Sequence, residues 1–176
     1  MTDSALATTE TEETMPSHDS RELSSHPGKN LEDFVTFTIG DQMFGIPVLR
    51  VQDILTPDRI APVPLAPPEV KGSINLRGRI VTVIDVRVRL SLPPLEKGSV
   101  GGGMAVTVEQ DNDLYTLLVD KIGDVIGLPK DLYEKNPGTL DPLWRDFSSG
   151  VFRLENNLMV VLDIDRLLDL KDALKT

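Results

Sequence analysis

Residues 72–90 read GSINLRGRIVTVIDVRVRL, and residues 150–168 read GVFRLENNLMVVLDIDRLL. Aligned at a constant offset of 78, they share five identities without a gap: Gly72/Gly150, Leu76/Leu154, Val83/Val161, Asp85/Asp163 and Leu90/Leu168. Ile80, Val81, Ile84 and Val86 fall opposite Leu158, Met159, Leu162 and Ile164, so the apolar pattern repeats even where residues differ. The turn chemistry repeats as well. Arg77-Gly78 stands opposite Glu155-Asn156, and Gly and Asn both tolerate the positive φ of a tight hairpin. Between them, Ile80, Val81, Val83, Ile84 and Val86 put five β-branched aliphatics into a run of seven. That density predicts a strand buried on both faces.

Working outward, Phe34 to Ile39 is aromatic and β-branched, which predicts a strand. Gly40-Asp41-Gln42 turns the chain, and Met43 to Val48 returns it. Further short apolar runs, Val51 to Leu55 and Ile60 to Val63, are broken by Pro57, Pro62, Pro64, Pro67 and Pro68. These earlier segments recur at an offset of 71, where IPVLRVQDI at 46–54 matches LLVDKIGDV at 117–125, Asp53/Asp124 included. Each copy is therefore a hairpin, a short β segment ending near an Asp, a connection and a final hairpin. The copies span 34–90 and 103–168, and units of about 60 residues bury too little surface to stand alone comfortably. The expected fold is all-β: two small barrels packed on each other, with helix confined to short pieces. The best helical candidate is 164–174, capped by Asp163 or Asp165. Residues 91–103 carry Pro and Gly and join the copies.

Of the 176 residues 40% are hydrophobic, yet no run is long enough to span a bilayer. No charged-then-apolar amino terminus marks a signal peptide. Cys is absent, which removes disulfides, thiol chemistry and thiolate metal sites together and fits a reducing cytoplasm. The net charge of −10 is unevenly spread, because residues 1–33 hold eight acidic and two basic side chains. Residues 1–32 are polar, with Leu6, Met15 and Leu23 as isolated apolar side chains, and read as a disordered acidic tail. His18 and His26, the only histidines, fall inside it. They read as solvated side chains, since a zinc site needs more ligands in fixed geometry.

Candidate chemistry is sparse. Asp85 and Asp163 form a pair of carboxylates at equivalent places, but each closes a strand and is positioned to cap the short helix after it. Asp120 and Asp124 read as structural in the same way. Gly101-Gly102-Gly103 lacks the Lys-Ser/Thr of a phosphate-binding loop and precedes a strand rather than a helix. No Ser lies in a nucleophile elbow, and no ordered His is available as a general base. Between positions 50 and 90 seven basic residues stand against four acidic ones. An oligonucleotide-binding barrel needs such charge plus exposed aromatics, and residues 45–90 contain no Phe, Tyr or Trp. These observations point to a protein that binds other proteins and catalyses nothing. Arg77 is its most interesting side chain, because a hairpin tip presents binding groups on a rigid scaffold.

The segments FVTF at 34–37, FGI at 44–46, LRVQDI at 49–54, KGSINLRG at 71–78 and IVTVIDVR at 80–87 together resemble the CheW family of chemotaxis coupling proteins. The second half continues the resemblance with LVD at 118–120, GDV at 123–125 and MVVLDIDRLL at 159–168, so that it covers about 34–170. It implies two packed five-stranded SH3-like barrels within 33–170, with 171–176 as a carboxyl-terminal extension. It also implies no catalysis and no cofactor or metal. The implied partners are the cytoplasmic tip of a chemoreceptor (a methyl-accepting chemotaxis protein) and the regulatory domain of the histidine kinase CheA, with no nucleic acid and no insertion into the membrane. Location would be cytoplasmic, at membrane-associated receptor arrays. By motif match the protein-binding residues are Val51, Asp53, Gly72, Arg77 and Val125.

The sequence departs from the family pattern in places. Asp53 stands where the family more often has Glu, and Thr116 and Lys121 stand where Gly is common. Residues 134–139 replace a basic-Pro stretch. The reading is a stand-alone adaptor. Two alternatives are the same scaffold in a non-flagellar pathway, such as surface motility or second-messenger signalling, and a nucleic-acid-binding small barrel.

Overall fold

The structure, a computed structural model, describes residues 30–93 and 103–170. Residues 1–29, residues 94–102 of the 91–103 connection and the 171–176 extension lie outside the described residues.

The chain runs through β1 (Leu31–Ile39), β2 (Gln42–Pro47), a 3-10 turn (Val48–Arg50), β3 (Val51–Leu55), β4 (Val70–Leu76), β5 (Arg79–Asp85) and α1 (Val86–Arg89). It continues with β6 (Met104–Gln110), β7 (Asp113–Val119), β8 (Lys121–Pro129), β9 (Tyr133–Glu134), α2 (Pro142–Phe147), β10 (Ser148–Arg153), β11 (Leu158–Leu162) and α3 (Ile164–Leu167). Two sheets result, in the orders β8-β1-β2-β11-β10-β9 and β3-β6-β7-β5-β4. This is the all-β, two-barrel architecture expected, with the two-residue β9 as an additional edge.

The duplication is visible in the strand orders. Replacing β8, β1, β2, β11 and β10 by their repeat equivalents β3, β6, β7, β5 and β4 converts one sheet into the other, position by position. Even the parallel contact recurs: β2 lies parallel to β11, and β7 lies parallel to β5.

The sequence halves, however, are not the sheets. The first hairpin of each copy pairs with strands of the other copy: β1–β2 joins β8 and β11, while β6–β7 joins β3 and β5. The five-stranded sheet thus occupies one contiguous stretch, β3 to β7, and the six-stranded one is closed by the amino-terminal hairpin. A buried cluster crosses both, bringing Phe37, Phe44 and Ile46 together with Ile84, Val106, Leu117, Val160 and Leu162. Smaller clusters lie under each sheet, around Phe34, Phe152 and Met159 in one and Ile74, Val81 and Val83 in the other.

Several local expectations are corrected. β1 starts at Leu31, which pairs with Pro129, so residues 31 and 32 belong to the sheet rather than to the tail. β5 is not buried on both faces throughout. Its partner β7 covers only Thr82 to Asp85, so the β4–β5 hairpin overhangs the sheet and Ile80 is 75% exposed. Val86 belongs to α1, where the Asp85 carboxylate accepts from the Arg87 and Val88 amides. Residues 60–63 form no strand and contribute only the Ala61–Ser73 bridge.

Of the helix expected over 164–174, residues 171–174 lie outside the described residues, and α3 covers only Ile164–Leu167, with 168–170 out of the helix. Asp163 does cap α3 by accepting from the Arg166 amide, but the helix stops at Leu167. Arg89 takes the carbonyls of Arg166, Leu167 and Asp169 while its guanidinium lies over the Phe147 ring, so a side chain satisfies oxygens that another helical turn would need.

Candidate partner-binding site

The β4–β5 hairpin closes through Arg77 and Gly78, with φ of 51° and 84°. Two successive positive φ values define a type I′ turn, whose twist matches that of the flanking strands. Asn75 Oδ1 secures it by accepting from the Gly78 amide at 2.9 Å. The tip extends past the end of the β5–β7 pairing, and the Arg77 side chain is 82% exposed.

β3 lies at the opposite edge of the five-stranded sheet in hydrogen-bonding order, yet the sheet curls enough to bring Asp53 to the hairpin. Arg77 donates from a terminal guanidinium nitrogen to Asp53 Oδ2 at 3.1 Å. Asp53 is the better shielded partner, 26% exposed, and its other oxygen accepts from the Ile54 amide. The carboxylate therefore orients the guanidinium while leaving most of its donors facing outward, available to carboxylates or carbonyls of a partner.

Beside this pair lies an open groove of about 460 Å³ between the 56–61 segment and the hairpin. Leu55, Ile74, Leu76 and Ile80 supply apolar lining, and Asp58 and Arg59 supply charge. Ile54 and Ile80 add exposed apolar surface on this sheet. An apolar depression beside an oriented cation suits protein recognition. Among the described residues no group of three or more His, Cys, Asp or Glu side chains is placed to hold a metal ion.

The five residues selected from sequence divide into three kinds. Asp53 and Arg77 meet directly. Val51 is half-buried against the shared core, and Gly72 is buried against Ala61, so neither offers much surface. Val125 is 59% exposed but lies on β8 of the other sheet. As the repeat equivalent of Ile54, it marks the matching face of the second barrel. The departures from family pattern also find local partners. Thr116 is buried and shares a 3.0 Å hydrogen bond with Thr107, Lys121 is exposed at the start of β8, and Glu134 pairs with Arg153 at 2.8 Å. Ile80 was not anticipated as a site residue, because its place in an apolar run reads as core.

The fold defines a two-barrel β scaffold. A CheW-like domain model matches residues 33–172, and the chain belongs to the CheW-like family. It is 29% identical over 143 residues to the chemotaxis protein CheW of Treponema pallidum, covering 80% of this chain and 84% of that one. It is 28% identical over 129 residues to protein PilI of Pseudomonas aeruginosa, covering 72% and 70%. The solved structure of the scaffolding protein TtCheW from Thermoanaerobacter tengcongensis superposes with a TM-score of 0.71 at 23% identity, over 80% of this chain and 94% of that one. That last likeness concerns the fold.

Proposed function

We propose that this protein is a non-catalytic adaptor that couples the cytoplasmic tip of a chemoreceptor to the regulatory domain of a CheA-type histidine kinase. The observation that carries the reading is the Asp53–Arg77 pair, a carboxylate-oriented guanidinium on a rigid hairpin tip beside an apolar groove. The second barrel repeats the framework with Glu155-Asn156 at the corresponding turn and Val125 on the corresponding strand, so it offers a face of different charge. Two unlike faces on one chain suit a bridge between two partners in the cytoplasm, at receptor arrays. The relatives named chemotaxis protein CheW support this pathway. The likeness to protein PilI, which does not carry that name, favours a second reading in which the same adaptor serves a non-flagellar pathway.

Replacing Arg77 tests the reading. Arg77→Ala keeps the turn and removes only an exposed pair, so the unfolding midpoint should correspond to a change within about 0.5 kcal/mol. Affinity for a receptor cytoplasmic fragment should fall by about 1–3 kcal/mol, the range of an interface hot spot. Arg77→Lys should recover part of that loss, because an ammonium lacks the planar fork. Parent-like affinity in both variants, measured by calorimetry, would remove Arg77 from the binding surface.

A further inference from the structure

The chain passes between the two sheets twice, from β2 to β3 and from β7 to β8, and an ion pair sits at each passage. Asp120 is the single residue between β7 and β8. Arg87 of α1 grips it in bidentate fashion, with Nε to Oδ1 at 2.9 Å and a terminal nitrogen to Oδ2 at 2.7 Å. Asp120 Oδ2 also accepts from the Gly40 amide at 2.7 Å, in the turn between β1 and β2. One carboxylate therefore ties a helix that follows the five-stranded sheet to a hairpin tip of the six-stranded sheet.

At the other passage, Arg50 of the 3-10 turn meets Asp165 of α3 at 2.8 Å and also donates to the Glu109 carbonyl at the end of β6. Asp165 stands 78 residues after Arg87, at the same place in the repeat. Each passage thus carries an ion pair to the same helix position, with the charges reversed, although the passage partners stand one position out of register: at the offset of 71 Asp120 lies opposite Leu49, and Arg50 opposite Lys121.

The two differ in shielding. Arg87 and Asp120 are each 15% exposed, whereas Arg50 is 35% and Asp165 64% exposed. The hydrogen bond from Arg87 holds the Asp120 carboxyl below the usual carboxylate range, against the upward pull of burial, and the bond from Arg50 acts likewise on Asp165. Solvent ions screen an exposed pair far more than a shielded one.

We propose that these two clasps set the angle between the barrels, with Arg87–Asp120 as the fixed clasp and Arg50–Asp165 as the releasable one. That this angle positions two partners rests on the adaptor reading. The clasp itself does not, and its test requires no partner.

The chain has no cysteine, so spin labels can be placed at Arg79→Cys on the five-stranded sheet and Asn156→Cys in the β10–β11 turn, and their separation read by pulsed electron spin resonance. The parent should give a narrow distance distribution, and Asp165→Asn a broader one with an unchanged melting midpoint. Exchanging the charges, Arg50→Asp with Asp165→Arg, should restore the narrow distribution. Salt at about 1 M, where the screening length falls to roughly 3 Å, should broaden the parent but not widen Asp165→Asn further. A parent-like width in Asp165→Asn, a failed restoration in a folded charge-exchanged protein, or broadening that comes with a collapsed midpoint would each overturn the releasable clasp.

Discussion

Cutting the chain after Gly101 is expected to abolish folding of the amino-terminal part, even though it carries one complete copy of the repeat. The cut leaves β1 to β5 and removes the strands they need. β1 and β2 lose β8 and β11, β5 loses β7, and β3 loses β6, the neighbour that its ladder bonds to. What remains hydrogen-bonded is two separate hairpins, β1–β2 and β4–β5, and an isolated hairpin is marginal in water at best. Phe37, Phe44, Ile39 and Ile46 would also face solvent after losing the shared cluster. Amide NMR spectra of 1–101 should therefore be poorly dispersed, and adding 102–176 should restore dispersion, because both barrels are completed only when both copies are present. A fragment of 48–120 keeps β3 to β7, the whole five-stranded sheet, and should retain more protected amides than 1–101 despite being shorter. Well-dispersed spectra from 1–101 alone would show that a single copy can close a barrel without its counterpart.

The exchange of hairpins explains what could and could not be read from the residues. Matching residues 72–90 to 150–168 identifies equivalent elements, and those equivalences hold through the glycines at the bulges: Gly72 and Gly150 both lie where the register of a closing hairpin shifts. Period-two patterning says which face of a strand is covered, but not which strand lies beside it. The parallel contacts β2–β11 and β5–β7 join residues more than thirty positions apart, and no local pattern announces them. Ile80 fails for a related reason, since its exposure depends on where β7 ends rather than on its own neighbours in sequence. The clasp of Arg87 on Asp120 spans 33 positions, so neither residue looks paired from its flanks. Asp53 and Arg77 were each visible through family motifs, while their mutual contact depends on the curl of the sheet.

Gly72→Ala is expected to destabilise the protein by about 3 kcal/mol, combining overpacking with backbone strain. Its φ is +154°, and a Cβ there would stand 2.2 Å from the Ala61 carbonyl oxygen and 2.7 Å from Ile60. The oxygen is fixed, because it accepts from the Ser73 amide at 2.8 Å while the Ala61 amide donates to the Ser73 carbonyl at 2.9 Å. Relieving the clash would mean prising the 56–61 segment away from β4, and that segment forms one wall of the groove beside Arg77. Gly78→Ala provides the contrast. Nothing lies within 4 Å of its added Cβ, so the cost should be limited to the positive φ, about 1 kcal/mol. Urea unfolding of the two variants should therefore separate them clearly. In Gly72→Ala, receptor-fragment affinity should fall together with stability, because the groove is deformed rather than a contact removed. Loss of affinity in a Gly72→Ala protein with parent-like stability would instead make Gly72 a direct contact and place a partner's backbone against β4.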